Sequence, residues 1–197
     1  SPNGEFLAFT ITEKNLIDHR YMLRKIKIME LSTGKVIKEV ENIGKLGNYV
    51  FNEEGTQLAF ASALNINDHA VSQAFVYSLK KETISKLTPE NFKGHVTWVA
   101  WKNDKEILFY SGEGVYPKLS SVSIKKGSRT VLLDAKDTEI IFGKPLFTSD
   151  LKTFVFTGNT PYDPSNIYSW DGKGELNKLT NINPQLSEID FGEQEII

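Results

Sequence analysis

The polar turn Asn52-Glu53-Glu54-Gly55 leads into the apolar run Leu58-Ala59-Phe60, and this pairing recurs three more times along the chain. The other copies are Ser1-Pro2-Asn3-Gly4 into Phe6-Leu7-Ala8-Phe9, Lys102-Asn103-Asp104 into Ile107-Leu108-Phe109, and Thr148-Ser149-Asp150-Leu151 into Phe154-Val155-Phe156. The last phenylalanines of successive copies stand 51, 49 and 47 residues apart. A period near fifty residues indicates stacked supersecondary units.

Each copy is followed by a second pair of short segments that alternate between apolar and polar residues. These segments lie at 26–31 and 36–40, 74–79 and 83–88, 119–124 and 129–133, and 166–170 and 175–180. Such alternation, bounded by Gly, Asn, Asp and Lys, is typical of β-hairpins. A helical solenoid would need apolar residues three and four positions apart over ten or more residues, and only 15–27 hints at that spacing. The sequence therefore predicts an all-β fold.

One more short run precedes each of the last three turns, at 49–51, 96–101 and 144–147. When this run is counted as a strand, each of these units has the four strands of a propeller blade, and neighbouring blades bury the two apolar faces of such a blade. We therefore predict a partial β-propeller of about four blades, each a four-stranded antiparallel sheet, with the first blade lacking its innermost strand. The blades are expected at about 1–46, 47–92, 93–137 and 138–182. The repeated phenylalanines Phe9, Phe60, Phe109 and Phe156 are expected to pack between blades.

Composition excludes some classes of function. The 197 residues contain 23 Lys plus Arg, 25 Asp plus Glu and no cysteine. This balance, without a clustered basic face, argues against nucleic-acid binding, and no apolar run is long enough for a membrane span. The lack of thiols fits a reducing compartment, so a cytoplasmic location is predicted, with the periplasm as the alternative. Because the chain opens inside a turn without an initiator Met, we expect it to be a piece of a longer polypeptide.

The motif Ser1-Pro2-Asn3-Gly4-(X2)-Leu7-Ala8-Phe9 resembles the SPDG…IAF repeat (the PD40 repeat) of TolB-type propellers and of the propeller in prolyl oligopeptidase family serine peptidases. The strand endings Leu87-Thr88 and Leu179-Thr180 fit the same template. The pattern around Pro164, Ile167-Tyr168 and the following C-terminal stretch is similar to acylaminoacyl-peptidase-like members. This resemblance implies a propeller at 1–186 and, at 187–197, an exit segment towards an α/β-hydrolase domain that is missing from the chain.

The resemblance also implies a function. In such peptidases the propeller gates and orients short peptides for the hydrolase domain, so the expected partners are that domain and short peptides. The chain has no Gly-X-Ser-X-Gly motif for a nucleophile, so we expect no catalytic residues and no peptidase activity in this portion. We also expect no cofactor and no metal ion.

Candidate contact residues lie in the connections between second and third strands, expected at 11–25, 62–73, 111–118 and 158–166. With alternating strands these connections share one face, where binding residues concentrate. The candidates for contact with substrate or domain are Asp18, His19, Arg20, Asp68, His69, Tyr116, Tyr162 and Asp163. The similar triplets at 18–20 and 68–70 can also reflect repeat kinship and ordinary loop polarity. All three histidines, including His95, are expected in loops.

Two other classes of function stay open at this point. A TolB-like propeller that acts only as a protein-binding module would carry the same repeats without a hydrolase. A propeller enzyme that handles a sugar or a cofactor would need converging His, Asp or Glu on its innermost strands. The predicted innermost strands offer only Lys144 among charged residues.

Overall fold

The structure is a computed structural model that describes residues 1–196. These residues form two compact units: Ser1–Gly114 with Ser120–Val131 is unit 1, and Val115–Leu119 with the chain from Leu132 onward is unit 2. Antiparallel strands make up most of the regular secondary structure, which confirms the all-β prediction. No helix within residues 1–196 has the length and apolar character that crossing a membrane requires.

The first sheet has three strands, in the order β1 (Phe6–Ile11), β2 (Lys25–Glu30) and β3 (Lys35–Val40). Among the described residues, β1 pairs only with β2, and its other edge has no partner strand. The first blade therefore lacks its innermost strand, as predicted. The connection between β1 and β2 contains the short helix α1 (Ile17–Met22), none of whose residues is buried.

The second sheet has four strands, in the order β4 (Leu46–Phe51), β5 (Gln57–Ala63), β6 (Ser72–Ser78) and β7 (Thr83–Lys86). Every residue of β5 after Gln57 is buried. Since successive residues of a strand point to opposite faces, β5 is covered on both faces, as a stacked blade requires.

The third sheet has the order β8 (His95–Asn103), β9 (Glu106–Glu113), β10 (Tyr116–Ser123) and β11 (Arg129–Asp134). The prediction of a loop at 111–118 is wrong, because only Gly114 and Val115 separate β9 from β10. Gly114 has a φ of 65°, which suits a tight two-residue turn. The prediction of loop positions for the histidines is also wrong for His95, which begins β8, and for His19, which lies in α1.

The fourth sheet contains β14 (Phe154–Thr160), β15 (Asp163–Trp170) and β16 (Asn177–Lys178), with β12 (Ile141–Phe142) and β13 (Leu146–Phe147) both paired to β14. The innermost strand predicted at 144–147 is therefore split; Pro145, between the two pieces, has no N–H to donate. The loop expected at 158–166 shrinks to residues 161–162, so Asp163 lies on a strand.

Short helical segments flank the fourth sheet. The helix α2 (Ala135–Thr138) precedes it, and a 3₁₀ turn, Pro184–Glu188, follows it. Residues 190–196 form neither helix nor strand. The last residue of the predicted exit segment, Ile197, lies outside the described residues.

Three of the four recurrent polar turns are closed by the side chain of their first residue. Ser1 Oγ accepts a hydrogen bond from the Phe6 amide at 2.9 Å, and Thr148 Oγ1 accepts one from the Thr153 amide at 3.2 Å. In the second copy Asn52 Oδ1 accepts the amide of Gln57 at 2.8 Å. The repeated Ser, Asn or Thr thus satisfies the amide five residues later, which explains a polar residue at this position.

Two apolar cores join the three sheets of unit 1. Phe60 packs between the first and second sheets, where its ring stacks on Phe75 with centres 5.3 Å apart. Phe109 packs between the second and third sheets. Phe60 and Phe109 are 1% and 0% exposed, which confirms their expected packing between blades, whereas Phe9 is only half-buried because its strand is an unpaired edge.

Hydrogen bonds at the period of the repeat also join the innermost strands β4 and β8. The Asn48 side chain donates to the Val99 carbonyl at 2.7 Å and accepts from the Val99 amide at 2.9 Å. The Trp101 indole donates to the Val50 carbonyl at 2.9 Å. These bonds hold neighbouring sheets in register through side chains that each reach a backbone group.

The Leu-Thr pairs at the ends of outer strands have a common structural role. Thr88 Oγ1 donates to Gln73 Oε1 at 2.6 Å, and Thr180 Oγ1 donates to Asn166 Oδ1 at 3.0 Å. Gln73 and Asn166 are 2% and 1% exposed, so their amides need internal partners. In both Leu-Thr pairs, the threonine hydroxyl therefore donates a hydrogen bond to a buried side-chain amide on the third strand of its sheet.

Candidate functional site

Lys45 connects two loops of unit 1 that the sequence predicted to carry contact residues. Its ammonium group lies 3.3 Å from Asp68 Oδ1 and donates to the Asp68 carbonyl. The same group lies over the Tyr21 ring, 5.5 Å from the ring centre. Tyr21 belongs to α1, next to the predicted triplet Asp18-His19-Arg20. The structure thus brings the connections at 12–24 and 64–71 together through Lys45 and Tyr21, which sequence analysis missed.

The connection between β3 and β4 packs closely against both loops. A Cβ atom on Gly44 would lie 2.0 Å from the Asn65 carbonyl oxygen, so only glycine fits there. Asn42 Nδ2 donates to the Arg24 carbonyl at 2.9 Å, and the Arg24 guanidinium donates to the Leu46 carbonyl at 2.5 Å. Residues 41–45 therefore hold the two predicted contact loops at one end of unit 1.

Three polar atoms of this region are buried without a hydrogen-bond partner in the described part of the chain: His19 Nδ1, Arg24 Nε and Asn42 Oδ1. A buried polar group without a partner costs about 1–3 kcal/mol. By contrast, the predicted contact residues Asp18, Arg20 and His69 are exposed.

His95 lies next to this arrangement and was expected in a loop. The Ser72 amide, at the start of β6, donates to His95 Nδ1 at 3.0 Å. Burial lowers the pKa of the imidazole below its ordinary value of 6.5, and the charge of Lys45 lowers it further. Neutral His95 therefore acts as the hydrogen-bond acceptor that fixes the end of the 64–71 loop.

Exposed apolar side chains crowd the same three connections of unit 1. We call them the loop-face patch: Leu16, Ile17, Tyr21, Leu23, Ile43, Leu64, Ile66 and Val71. Ile17 is 84% exposed and Ile66 is 65% exposed. No local sequence pattern indicates this patch, because its members come from three separate connections. Exposed apolar surface rimmed by polar groups is typical of contact sites.

Unit 2 contains a cleft of about 700 Å³ that brings together two predicted contact residues, Tyr116 and Tyr162. Apolar surface is added by Val115, Ala135, Ile141 and Pro161, and polar groups are added by Lys136, Glu139 and Thr160. The cleft is also lined by Gln194, Glu195 and Ile196. The Phe191 ring meets the exposed Tyr162 ring nearly edge-on, with centres 6.4 Å apart. This arrangement can hold a ligand against aromatic rings.

Asp163, the third candidate of this region, has internal partners. Its carboxylate forms an ion pair with Lys178 and accepts a hydrogen bond from Asn166 Nδ2 at 3.0 Å. These contacts give Asp163 a role in joining β15 to β16 and to the buried Asn166 amide.

A further charged cluster of unit 1 was missed by sequence analysis. The Arg129 guanidinium lies over the rings of Phe92 and Phe109, 5.1 and 5.2 Å from their centres. It pairs with both carboxylate oxygens of Glu113 and donates to Ser120 Oγ at 2.9 and 3.0 Å. The sequence showed only an isolated Arg and Glu sixteen residues apart.

No group of three or more His, Asp or Glu side chains within residues 1–196 is placed to hold a metal ion. The residues described above offer apolar surface, aromatic rings, hydrogen-bonding groups and isolated charges to a ligand or partner.

Four antiparallel sheets in chain order, the first without an innermost strand, define an all-β partial β-propeller. No protein-family model matches the chain, and no curated protein matches its sequence. Solved structures do match. TolB from Acinetobacter baumannii is 17% identical, with a TM-score of 0.61 over 91% of this chain and 42% of that protein.

Two peptidase structures match over similar lengths. The β-propeller domain of the Trilobed protease from Pyrococcus furiosus is 18% identical, with a TM-score of 0.58 over 90% of this chain and 54% of that one. The acylaminoacyl peptidase from Pyrococcus horikoshii is 17% identical, with a TM-score of 0.58 over 89% of this chain and 31% of that one. This chain thus has the fold of TolB-like and peptidase propellers and spans between about a third and just over half of their lengths.

Proposed function

We propose that this chain is the non-catalytic propeller portion of a serine peptidase, which contacts a hydrolase domain and admits short peptides to it. The loop-face patch carries the proposal, because it places exposed apolar side chains beside the charged loops on one end of unit 1. The structural similarity to two peptidases supports the choice of a hydrolase as partner. The TolB similarity supports the alternative discussed below.

The composition of this end of unit 1 suits a domain interface. Ile17 and Ile66 are the most exposed members of the loop-face patch, and burying such a side chain contributes about 1.5–3 kcal/mol. The exposed polar side chains of Asp18, Arg20 and His69 belong to the same connections as the patch. Rim charges of this kind contribute little affinity but select orientation and partner.

In this proposal the chain acts by position. The nucleophile, its acid and its histidine belong to the hydrolase domain, and no residue of this chain takes part in bond cleavage. The propeller covers the active site and excludes folded proteins, so that short unstructured peptides reach the nucleophile.

The first test is the parent gene. We expect the codons after Ile197 to encode an α/β-hydrolase domain with a Gly-X-Ser-X-Gly motif. A reading frame that ends at Ile197 would contradict the proposal.

The second test uses the longer protein and the loop-face patch. We expect Ile17→Asp and Ile66→Asp to loosen the contact with the hydrolase domain, measured by hydrogen exchange of both domains, and to increase cleavage of a folded protein relative to a short peptide. Val36→Asp is the matched control, since Val36 is 52% exposed on β3, outside the patch. Equal effects of patch and control variants would contradict the proposed contact.

The same patch also favours a second candidate, a TolB-like module that binds a separate protein. It predicts no downstream hydrolase and a partner whose binding is lost in Ile17→Asp but kept in Val36→Asp. The parent gene therefore separates the two candidates before any binding experiment.

A further inference from the structure

We propose that the cleft of unit 2 is a binding site for a short extended peptide that carries an apolar side chain. The cleft is lined by residues of unit 2 alone, from the segments 115–116, 135–141, 160–162 and 194–196. The choice of a peptide as ligand rests on the proposed function, whereas the site itself is independent of the loop-face patch.

The volume of the cleft and the residues that line it suit such a peptide. Its volume of about 700 Å³ falls within the range of roughly 300–1,000 Å³ found for ligand sites. Tyr116 and Tyr162 present aromatic rings, and Val115 and Pro161 present apolar surface from two tight turns. Tyrosine is a common anchor in binding sites because it buries a large rigid ring and keeps a polar end.

One wall of the cleft consists of irregular backbone. Residues 190–196 belong to no strand, and among the described residues no hydrogen bond joins their backbone to the rest of the chain. Their N–H and C=O groups are therefore available to hydrogen-bond with the main chain of a bound peptide. The contact between Phe191 and Tyr162 keeps this wall beside the aromatic floor.

The rim of the cleft is charged and predicts a preference among peptides. Glu139 and Glu195 contribute two negative charges and Lys136 one positive charge. Lys136 is fixed near the start of α2, where its amide donates to Asp134 Oδ1 at 2.9 Å. Because the rim is negative overall, a peptide with a lysine side chain binds more tightly than the same peptide with a glutamate.

The test is a titration of the full chain with two pentapeptides, Ala-Ala-Phe-Lys-Ala and Ala-Ala-Phe-Glu-Ala, followed by NMR. We expect saturable shifts of the Tyr116 and Tyr162 ring signals and binding of the lysine peptide up to about fivefold tighter, the range of exposed ion pairs. Val115→Arg and Tyr162→Ala are expected to weaken binding about fivefold or more. Val36→Arg is the matched control, because Val36 is an exposed valine of unit 1.

Three results would contradict the proposed site. The first is the lack of saturable shifts at Tyr116 and Tyr162 with millimolar peptide. The others are tighter binding of the glutamate peptide and an equal loss of peptide affinity in Val115→Arg and Val36→Arg. The wild-type ring signals decide the question even if a cleft variant fails to fold. A missing hydrolase in the parent gene would refute the proposed function and leave this titration unaffected, so the two failures are distinguishable.

Discussion

The partly buried ion pair between Arg129 and Glu113 carries a quantitative stability prediction. The two side chains are 16% and 20% exposed, and the guanidinium lies over the rings of Phe92 and Phe109. Glu113→Leu keeps the approximate size of the side chain and leaves the guanidinium without its counterion. Removing one partner of a fully buried pair costs about 3–5 kcal/mol. Since both groups keep some solvent contact, we expect about 2–3 kcal/mol.

Urea unfolding monitored by tryptophan fluorescence measures this loss, together with a fall in Tm of about 5–10 °C. The matched control is Glu90→Leu. Glu90 pairs with Lys86 at 3.0 Å, but its side chain is 94% exposed, so its removal should cost less than about 0.5 kcal/mol.

A double substitution distinguishes the cost of leaving Arg129 without its counterion from the cost of losing side-chain packing. Glu113→Leu with Arg129→Met replaces both charges by apolar groups, and we expect it to be at least about 1 kcal/mol more stable than Glu113→Leu alone. If Glu113→Leu costs no more than Glu90→Leu, or if the double variant shows the sum of the losses of the two single variants, the reasoning about a partly buried counterion is refuted.

Three further predictions concern stability. Thr88→Val should cost about 1–3 kcal/mol in urea unfolding because it leaves a buried amide oxygen without its donor, whereas the exposed Thr83→Val should change stability by less than about 0.5 kcal/mol. Phe60→Ala should cost about 3–5 kcal/mol and Phe9→Ala clearly less, because Phe9 is only half-buried; equal losses would contradict the core assignment. Because the pKa of His95 is lowered in the folded chain, the unfolded chain takes up a proton at this histidine more readily. The stability that neutral His95 contributes is therefore complete above pH 6.5 and declines as the pH falls below that value. We expect His95→Gln to flatten this part of the stability-pH curve, and an unchanged slope would contradict it.

Much of the fold could be predicted from local sequence patterns. Polar turns and alternating segments are short-range signals, so the four repeats located the sheets and the incomplete first blade. The turn residues Ser1, Asn52 and Thr148 act on amides only five positions away. The lengths of the connections were predicted less well, because Gly114 allows a turn much tighter than the surrounding polar composition indicated.

The candidate site was predicted only in part. Tyr116 and Tyr162 meet in one cleft, but the residues around them at 135–141 and 194–196 carry no common local pattern. Asp68 was identified as a candidate, whereas its partner Lys45 was not, because a single lysine in a polar connection has no distinguishing signal.

By itself, the sequence determined the strand order, the repeat length and the buried phenylalanines, because hydrophobic alternation and turn chemistry act over a few residues. The tertiary structure alone decided which distant side chains meet. Lys45 reaches Tyr21 and Asp68, and Arg129 packs over Phe92 and Phe109, only because packed sheets bring separate parts of the chain within a few ångströms. Contacts of this kind depend on the exact register of neighbouring strands, which local patterns do not encode.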